Sequence, residues 1–477
     1  MSLPDRTPAP TLPSWWLDEA LAHERDAPDA PPLGRDLDVD VAIVGGGYTG
    51  LWTALTLRRR DPSIRVAVLE AEIVGWGPSG RNGGFVGGYY GGLGSLRRLF
   101  GDEAALTIAR AGELIVPAVR ELAEQHGEDV WLRDEGYVKI SASLAQDAAI
   151  DAYVTAARAL GVGVDKVQAL SPPDVQAIVR SPAFRHGVHV HDTATVQPAR
   201  LARLLRRAAT DAGAELYERT RVLDVREGTP SVLETVGGKV RATELVFATN
   251  AALTGWRPLA GWLTNFGSYV VLTEPVPELL EEIGWTGGEA VTDGRMFLHY
   301  FRTTPDGRVL MGSGSGPIGA GGRLDGRFSA DRPTVARAAA GLRRLLPGLA
   351  AARIERAWGG PIDVSADHLP FFGTAPGTRT HYAAGYSGHG AGPSWIGGQV
   401  LASLVMRADD EWARFPLTCR RVARRLPPEP FRHLGGALVR GAILACEEAE
   451  DTGRRAALPV RAAAALPRLV GIEIGTR

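Results

Sequence analysis

The sequence predicts an α/β protein in which a domain built on a parallel sheet is joined to a second domain built on an antiparallel sheet. Residues 39–44 form a short apolar run with β-branched side chains, followed by a glycine-rich turn and a helical apolar pattern, as in a parallel β–α–β unit. Residues 265–315 alternate like antiparallel strands and contain the turn Thr304-Pro305-Asp306-Gly307. The chain has 477 residues, which is enough for two or three domains.

Composition and charge narrow the class of protein. Apolar residues make up 45% of the chain and charged residues 22%, as in a globular protein with a large core. The net charge is −1, so the basic excess that nucleic-acid binding requires is absent. Cys419 and Cys446 are too few for a disulfide scaffold. The sequence has no apolar run of membrane-spanning length and no signal-peptide pattern, so we expect a cytoplasmic protein without a membrane span.

The expected elements follow the chain in order, beginning with an irregular lead-in over residues 1–36 that Trp15 and Trp16 anchor to the body. The further expectations are helices at 51–60, 102–127, 198–213, 332–346 and 393–406, and strands at 64–69, 130–142, 215–226, 232–237, 239–248, 297–302, 308–312 and 381–384. Residues 451–477, rich in Ala, Arg and Pro, are expected to be loosely attached or partly disordered.

The turn after the first strand, Gly45-Gly46-Gly47-Tyr48-Thr49-Gly50, predicts a dinucleotide site. Gly45 permits the tight turn, Gly47 lets the backbone approach a pyrophosphate and Gly50 lets the helix pack on the strand. The helix N-terminus attracts a diphosphate, and Glu70, at the end of the second strand, can accept hydrogen bonds from ribose hydroxyls. With 59 glycines in the chain, a plain glycine turn in an ordinary β–α–β unit is the alternative. The context favours a Rossmann-like domain for an adenosine-diphosphate cofactor with a free 2′-hydroxyl.

A second glycine-rich segment over residues 75–94 favours FAD over NAD. Its backbone N–H groups, a serine hydroxyl and an arginine can form a further phosphate clamp, and its glycines let a flat ring lie against the backbone. An NAD enzyme has no need of this segment. The residues assigned to FAD here are Ser79, Gly80, Arg81, Asn82, Gly83 and Gly84.

With these motifs the chain resembles the D-amino-acid oxidase superfamily of FAD enzymes, which contains glycine and sarcosine oxidases, and within it the γ-glutamylputrescine oxidase-like proteins. The matching segments are 40–50, 69–85, 192–222, 245–251, 298–316 and 367–392. The resemblance implies a discontinuous Rossmann-like FAD-binding domain and an antiparallel-sheet (α+β) substrate domain. The former comprises residues 37–125, 186–255 and 355–410, the latter residues 126–185 and 256–354, and a helical extension follows at 411–477. The resemblance also implies that Val222 holds the adenine through its backbone and that Thr249 and Asn250 line the diphosphate region.

The resemblance places the flavin beside the segment Gly385, Gly388, His389 and Gly390, ahead of the last predicted helix. A helix N-terminus there would stabilise negative charge on the reduced ring, although His389 could simply cap the loop. Relatives with covalently bound flavin carry a histidine near the place of Arg81 or a cysteine near that of Gly360. Neither is present, so we expect non-covalent FAD. Several carboxylate-binding relatives carry a lysine at the position of Gly392, which leaves an amine, or a carboxylate held elsewhere, as substrate.

Tyr300, Arg302 and His389 are the candidate catalytic residues. Arg302 could bind a substrate carboxylate bidentately, with Tyr300 on the same strand face, or it could instead pair with Asp306 or Glu289. The residues that could wall the substrate, or equally belong to the core, are Tyr89, Tyr90, Tyr269, Met296 and Phe301. His186, His189 and His191 lack a carboxylate cluster at ligand spacing, so no metal is predicted.

The activity that the resemblance implies is oxidation of a C–N bond of a small amine or amino acid. A hydride passes to flavin N5 and the imine product then hydrolyses, while the protein supplies orientation and electrostatics. Related oxidases often use a lysine near the flavin for dioxygen, but no lysine follows Lys239. His299, Arg302, His389 or a substrate ammonium would then take that part, or the acceptor is not dioxygen. We expect an oxidase; a dehydrogenase with another acceptor and a flavin-binding protein with a diverted biosynthetic activity remain alternatives.

Overall fold

The computed structural model describes residues 13–24, 30–420, 422, 424–469 and 472. The strands within them are β1 (Leu37–Val44), β2 (Val66–Leu69), β3 (Phe85–Gly87), β4 (Tyr137–Ile140), β5 (Val167–Leu170), β6 (Gly187–Val190), β7 (Thr193–Thr195), β8 (Glu215–Tyr217), β9 (Val222–Arg226), β10 (Ser231–Thr235), β11 (Lys239–Phe247), β12 (Leu263–Thr273), β13 (Ala290–Asp293), β14 (His299–Thr303), β15 (Val309–Ser313), β16 (Ile354–Ser365), β17 (Phe371–Thr374) and β18 (Thr380–Ala384). The α-helices are α1 (Trp15–His23), α2 (Tyr48–Arg60), α3 (Leu93–Phe100), α4 (Asp102–Gly112), α5 (Ile115–His126), α6 (Leu144–Ala159), α7 (Pro172–Ile178), α8 (Pro198–Asp211), α9 (Pro277–Glu282), α10 (Arg332–Leu345), α11 (Pro393–Met406), α12 (Phe431–Asp451) and α13 (Leu458–Leu469).

The first sheet has the parallel core that the sequence predicts. Its strand order is β17-β18-β11-β1-β2-β8, with the antiparallel β9–β10 hairpin attached along β11. The buried strand β1 is parallel to both neighbours, so that Val44 pairs with Leu69 on one side and with Phe247 on the other. The carboxyl ends of three central strands therefore meet at one edge, which is where open α/β sheets bind ligands. Helices α2, α8 and α11 pack together on one face.

The second sheet has the order β16-β12-β15-β14-β13-β4-β6-β5. It is antiparallel as expected, apart from one parallel pair, β13 with β4. Strands β6 and β16 belong to it, whereas the sequence analysis assigned residues 186–190 and 355–365 to the FAD-binding domain. That assignment was wrong for these stretches because β6 pairs with β4 and β5, and β16 pairs with β12 along its length.

Several expected elements differ in extent. The expected helix over 102–127 is two helices, α4 and α5, and the expected strand over 215–226 is divided into β8 and β9. Of the expected strand over 130–142, only β4 forms.

Both ends of the described chain are more regular than the composition predicts. Residues 15–23 of the expected irregular lead-in form α1, which the Ser14 hydroxyl caps by accepting from the Leu17 N–H at 3.1 Å. Trp16 and Leu17 are fully buried. Residues 458–469 form a regular helix, α13, which packs on α12 and is mostly exposed. Residues 470, 471 and 473–477 lie outside the described residues.

Across the described ranges, we find no helix with the length and apolar character needed to cross a bilayer.

Candidate active site

A cavity of about 2270 Å³ is lined by residues from both sheets. Small-molecule pockets commonly have volumes of about 300–1,000 Å³, so this one has room for a large cofactor together with a substrate. The predicted site residues that line it are Gly45, Gly47, Tyr48, Thr49, Glu70, Ser79, Arg81, Asn82, Gly83, Val222, Thr249, Asn250, Tyr300, Gly388, His389 and Gly390. Those that lie behind its wall are Gly50, Gly80, Gly84, Gly385 and Arg302.

The glycine turn between β1 and α2 forms the nucleotide end of the cavity. A Cβ on Gly50 would clash with the Gly45 carbonyl oxygen, so only glycine lets α2 start so close to β1. Gly45 has φ +108° and a Cβ there would come within 2.6 Å of the Ala248 carbonyl oxygen. The Tyr48 N–H donates to Ser79 Oγ at 2.9 Å, which joins the turn to the second glycine-rich segment. The N-terminus of α2 thus faces the cavity where a diphosphate would lie.

Glu70 lies at the end of β2 with its carboxylate in the cavity wall. The Gly46 N–H donates to Glu70 Oε2 at 2.7 Å and the Glu72 N–H donates to Oε1 at 3.0 Å. Burial raises the pKa of this carboxyl, and the two backbone donors oppose that shift. The carboxylate retains acceptor capacity toward the cavity, as a ribose hydroxyl requires.

Side chains from α1, its N-cap and β16 hydrogen-bond the backbone of the segment around Arg81. Trp16 Nε1 donates to the Asn82 carbonyl oxygen at 3.0 Å, and Trp358 Nε1 donates to that of Arg81 at 2.9 Å. The Ser14 hydroxyl donates to the Gly80 carbonyl oxygen at 2.6 Å. Arg81 itself donates from Nε to the Gly359 carbonyl oxygen at 2.7 Å, and burial lowers its pKa to about 10. A rigid cationic segment therefore lines the cavity beside the turn.

Asp363, on β16, joins the nucleotide end of the cavity to the loop around His389. Its Oδ1 accepts from Asn250 Nδ2 at 2.9 Å, its other carboxylate oxygen accepts from the Gly385 N–H, and its carbonyl oxygen accepts from the Ser387 N–H at 2.8 Å. Burial raises the pKa of Asp363 to about 6. The sequence analysis did not identify this residue because no local motif marks it; only the tertiary approach of β16 gives it this role.

His389 lies in the cavity wall just before α11, as the sequence predicts. Desolvation lowers its pKa to about 4, and nearby His368 and Lys139 add to the shift. Its ring also hydrogen-bonds the Ser387 backbone, as the loop-capping alternative requires. At neutral pH the structure therefore presents a neutral imidazole to the cavity.

The expectation that Arg302 binds a substrate anion was wrong. Its side chain is fully buried, and Nη1 donates to the Val196 carbonyl oxygen at 2.5 Å. The guanidinium stacks on Trp16 with its Cζ atom 5.8 Å from the ring centroid. Gly84 lies against Nη1, so the segment that lines the cavity covers this arginine. Among the described residues, Arg302 forms no salt bridge with either alternative partner, Asp306 or Glu289; Asp306 instead pairs with Arg308 at 2.8 Å.

Tyr300 does reach the cavity. Its ring crosses Gly312, where a Cβ would clash with it, and its hydroxyl lies 2.9 Å from Ser268 Oγ. Burial raises the pKa of Tyr300 to about 12, so it remains a phenol. Of the other residues proposed to wall the substrate, three line the cavity: Tyr89, Tyr90 and Met296. The remaining two, Tyr269 and Phe301, belong to the core.

His299 cannot act on a bound flavin, because its buried ring Nδ1 lies 2.7 Å from Asp293 Oδ2 and it is absent from the cavity wall. His186 Nε2 lies 3.0 Å from Asp151 Oδ1, and His189 Nε2 lies 2.9 Å from the Glu135 carbonyl oxygen. In the part of the chain that the structure describes, no group of three or more His, Cys, Asp or Glu side chains is placed to hold a metal ion.

Lys139 and the C-terminal helices are parts of the cavity that sequence reasoning missed. Lys139, on β4, is 2% exposed and lines the cavity. Helices α12 and α13 contribute three exposed side chains to the cavity lining: Phe431, Leu438 and Leu466. Only the period-2 alternation of β4 could have placed Lys139 on a face, and nothing in the sequence showed which face lines the site.

The residues present fit FAD on two structural observations. The backbone of the turn leaves no space for side chains, since a Cβ on Gly47 would come within 2.9 Å of Ser79 Oγ. Asn250 Oδ1 is a buried acceptor with no hydrogen-bond partner among the described residues, which suits a ligand hydroxyl or N–H.

Comparison with known proteins agrees with this geometry. The family model of the DAO FAD-dependent oxidoreductases matches residues 40–404. A probable oxidoreductase OrdL of Rhizobium meliloti (strain 1021) is 30% identical over 422 residues, covering 84% of this chain and 91% of the relative. The gamma-glutamylputrescine oxidoreductase of Escherichia coli (strain K12) is 29% identical over 386 residues, covering 80% of this chain and 86% of the relative.

Among solved structures, glycine oxidase from Geobacillus kaustophilus superposes with a TM-score of 0.66 at 26% identity, covering 81% of this chain and all of that one. The expected superfamily and its two-sheet fold are confirmed. The chain belongs to the DAO family of FAD-dependent oxidoreductases, and FAD is its cofactor.

Proposed function

We propose that this protein oxidises a C–N bond of a small amine or amino acid to an imine, which water then hydrolyses, with dioxygen as the electron acceptor. The observation that carries the proposal is the single cavity that joins the nucleotide turn at Gly45 to a sheet floor presenting Tyr300. FAD alone would not need that floor, whereas a substrate beside the flavin would.

The residues that would hold FAD are the α2 turn, Glu70 and the segment around Arg81. When bound, FAD supplies the acceptor for two electrons and a proton. Tyr300 remains protonated and can donate a hydrogen bond to the substrate, while His389 is neutral and can accept one. A neutral imidazole does not repel the substrate as an imidazolium would repel an ammonium. The cavity walls would hold the reacting carbon in place.

The identity of the electron acceptor is a separate part of the proposal. The structural relative is by name an oxidase, which supports dioxygen. The relative named gamma-glutamylputrescine oxidoreductase leaves the acceptor open, and so a dehydrogenase with another acceptor is the second candidate.

The test is anaerobic titration of the purified holoenzyme with amines and amino acids, followed by air. We expect at least one compound to bleach the flavin absorbance and air to restore it within seconds, with hydrogen peroxide formed. Bleaching that air restores only over many minutes would favour the dehydrogenase. A broad panel that never bleaches the flavin would contradict C–N oxidation and favour a diverted biosynthetic activity.

A further inference from the structure

We propose that Lys139 binds a carboxylate on the substrate, so that the protein acts on amines that also carry an acid group. This deepens the proposed function and rests on it. The anion-binding role, which the sequence analysis gave to Arg302 on β14, is thereby assigned to Lys139 on β4.

The register of the second sheet places Lys139 in the site. Lys139 on β4 pairs with Thr292 on β13, which pairs with Tyr300 on β14, which pairs with Gly312 on β15. Residues paired across strands point to the same face of a sheet. Lys139, Thr292 and Tyr300 all line the cavity, so they form one polar row across its floor. With strands about 4.8 Å apart, the backbone positions of Lys139 and Tyr300 lie two strand spacings apart along this row.

The surroundings of Lys139 suit an anionic ligand. Its side chain is 2% exposed, and its Nζ atom lies 5.1 Å from the centre of the Tyr153 ring, on α6. A substrate carboxylate reaching this ammonium would be shielded from water, where a charge-assisted hydrogen bond is stronger than at the surface. Lys139 is also near enough to His389 to disfavour its protonation, and both residues line the same cavity.

Three arginines near the cavity have other partners or are covered. Arg302 is covered by the segment at Gly84, and Arg221 pairs with Glu72 at the nucleotide end, at 2.8 Å. Arg440 donates to the Ser315 carbonyl oxygen at 2.9 Å from Nε. A side chain at position 392 would clash with the backbone at Gly87, so this chain has no space there for the lysine of carboxylate-binding relatives.

The experiment compares matched ligands on wild-type holoenzyme, Lys139→Met, Lys139→Arg and the control Lys239→Met. Lys239 is half exposed on β11, 3.6 Å from Glu234 and away from the cavity. Anaerobic calorimetry measures binding of butyrate and of butyramide, which are similar in shape but differ in charge. Steady-state kinetics compare γ-aminobutyrate with butylamine, and glycine with methylamine.

We expect Lys139→Met to weaken butyrate binding at least tenfold and to raise KM for the amino acids by a similar factor. Butyramide binding and KM for the plain amines should stay within twofold, Lys139→Arg should restore part of the loss, and Lys239→Met should change nothing. Equal losses for charged and uncharged ligands, or a loss confined to reoxidation of the flavin in air, would overturn the proposal. If Lys139→Met does not fold, judged by flavin content and Tm, Lys139→Gln gives the same comparison. Calorimetry needs no turnover, so it tests Lys139 even if no amine reduces the flavin.

Discussion

Asn250 Nδ2 donates a hydrogen bond to Asp363 Oδ1 over 2.9 Å, linking two stretches of chain that are far apart in sequence. The same carboxylate accepts from the Gly385 N–H, at the start of the loop that carries His389. One buried acid therefore holds both the residue expected beside the diphosphate and the loop expected beside the flavin ring.

Replacing this acid should weaken cofactor binding. Asp363→Ala leaves the Gly385 N–H and the Asn250 amide without their acceptor, and an unsatisfied buried group costs about 1–3 kcal/mol. We expect FAD affinity of the apoprotein to fall about tenfold or more, measured by quenching of FAD fluorescence. Asp306→Ala, on the exposed hairpin, is the control and should bind FAD normally. Unchanged affinity in Asp363→Ala would show that the link does not shape the FAD site.

The flavin should be released completely by acid. Arg81 and Gly360, at the places where covalent relatives carry a nucleophile, line the cavity without a thiol or imidazole, and Cys419 and Cys446 lie outside its wall. After precipitation in trichloroacetic acid, we expect all flavin absorbance in the supernatant. Yellow colour in the washed pellet would instead demonstrate a covalent bond.

The parts of the site that could be predicted are those set by local sequence. The strand, the glycine turn and α2 follow one another within 25 residues of chain, and each requires particular side chains or their absence. Arg302 shows the limit of such reasoning. Its expected place on the Tyr300 face of β14 is consistent with the structure, but the segment at Gly83 and Gly84 covers that end of the strand. Lys139 was missed for a related reason: its role depends on the pairing of β4 with β13, which local periodicity does not show.

Arg302 should behave as a structural residue. Arg302→Met removes the hydrogen bond to the Val196 carbonyl oxygen and the stacking on Trp16, so we expect a lower Tm. The ratio of KM for glycine to KM for methylamine should stay within twofold of wild type. Arg226→Met, which removes an exposed pair with Glu234, should leave both Tm and KM unchanged. A selective rise in KM for glycine would return the anion-binding role to Arg302.

Glu447 should make stability depend on pH. Burial raises its pKa to about 7, while Oε1 accepts from the Met296 N–H at 2.7 Å. The pKa of Glu447 in the folded protein exceeds the ordinary value of about 4.3. At pH values between the two, the folded protein binds a proton that the unfolded chain has lost, so the stability of the fold decreases as pH rises through this interval. A glutamine side chain does not ionise, so the Tm of Glu447→Gln relative to wild type should rise by a few degrees between pH 4.5 and pH 8. Glu448→Gln, exposed on the same helix, is the control, and a Tm difference independent of pH would contradict the assignment.

The C-terminal helices should contribute to substrate selection although they follow the part of the chain that the family model matches. Leu438 on α12 is 61% exposed but faces the cavity, whereas Leu458 on α13 is 75% exposed and lies away from it. An apolar substrate tail that reaches α12 would bury surface against Leu438, and losing most of one leucine contact costs about 1 kcal/mol, or about fivefold in affinity. Leu438→Ser should therefore raise KM for hexylamine severalfold and leave methylamine unchanged. Leu458→Ser makes the same chemical change outside the cavity and should affect neither amine. Equal effects of the two substitutions, or a loss for methylamine as large as that for hexylamine, would show that α12 supports the fold without contacting the substrate.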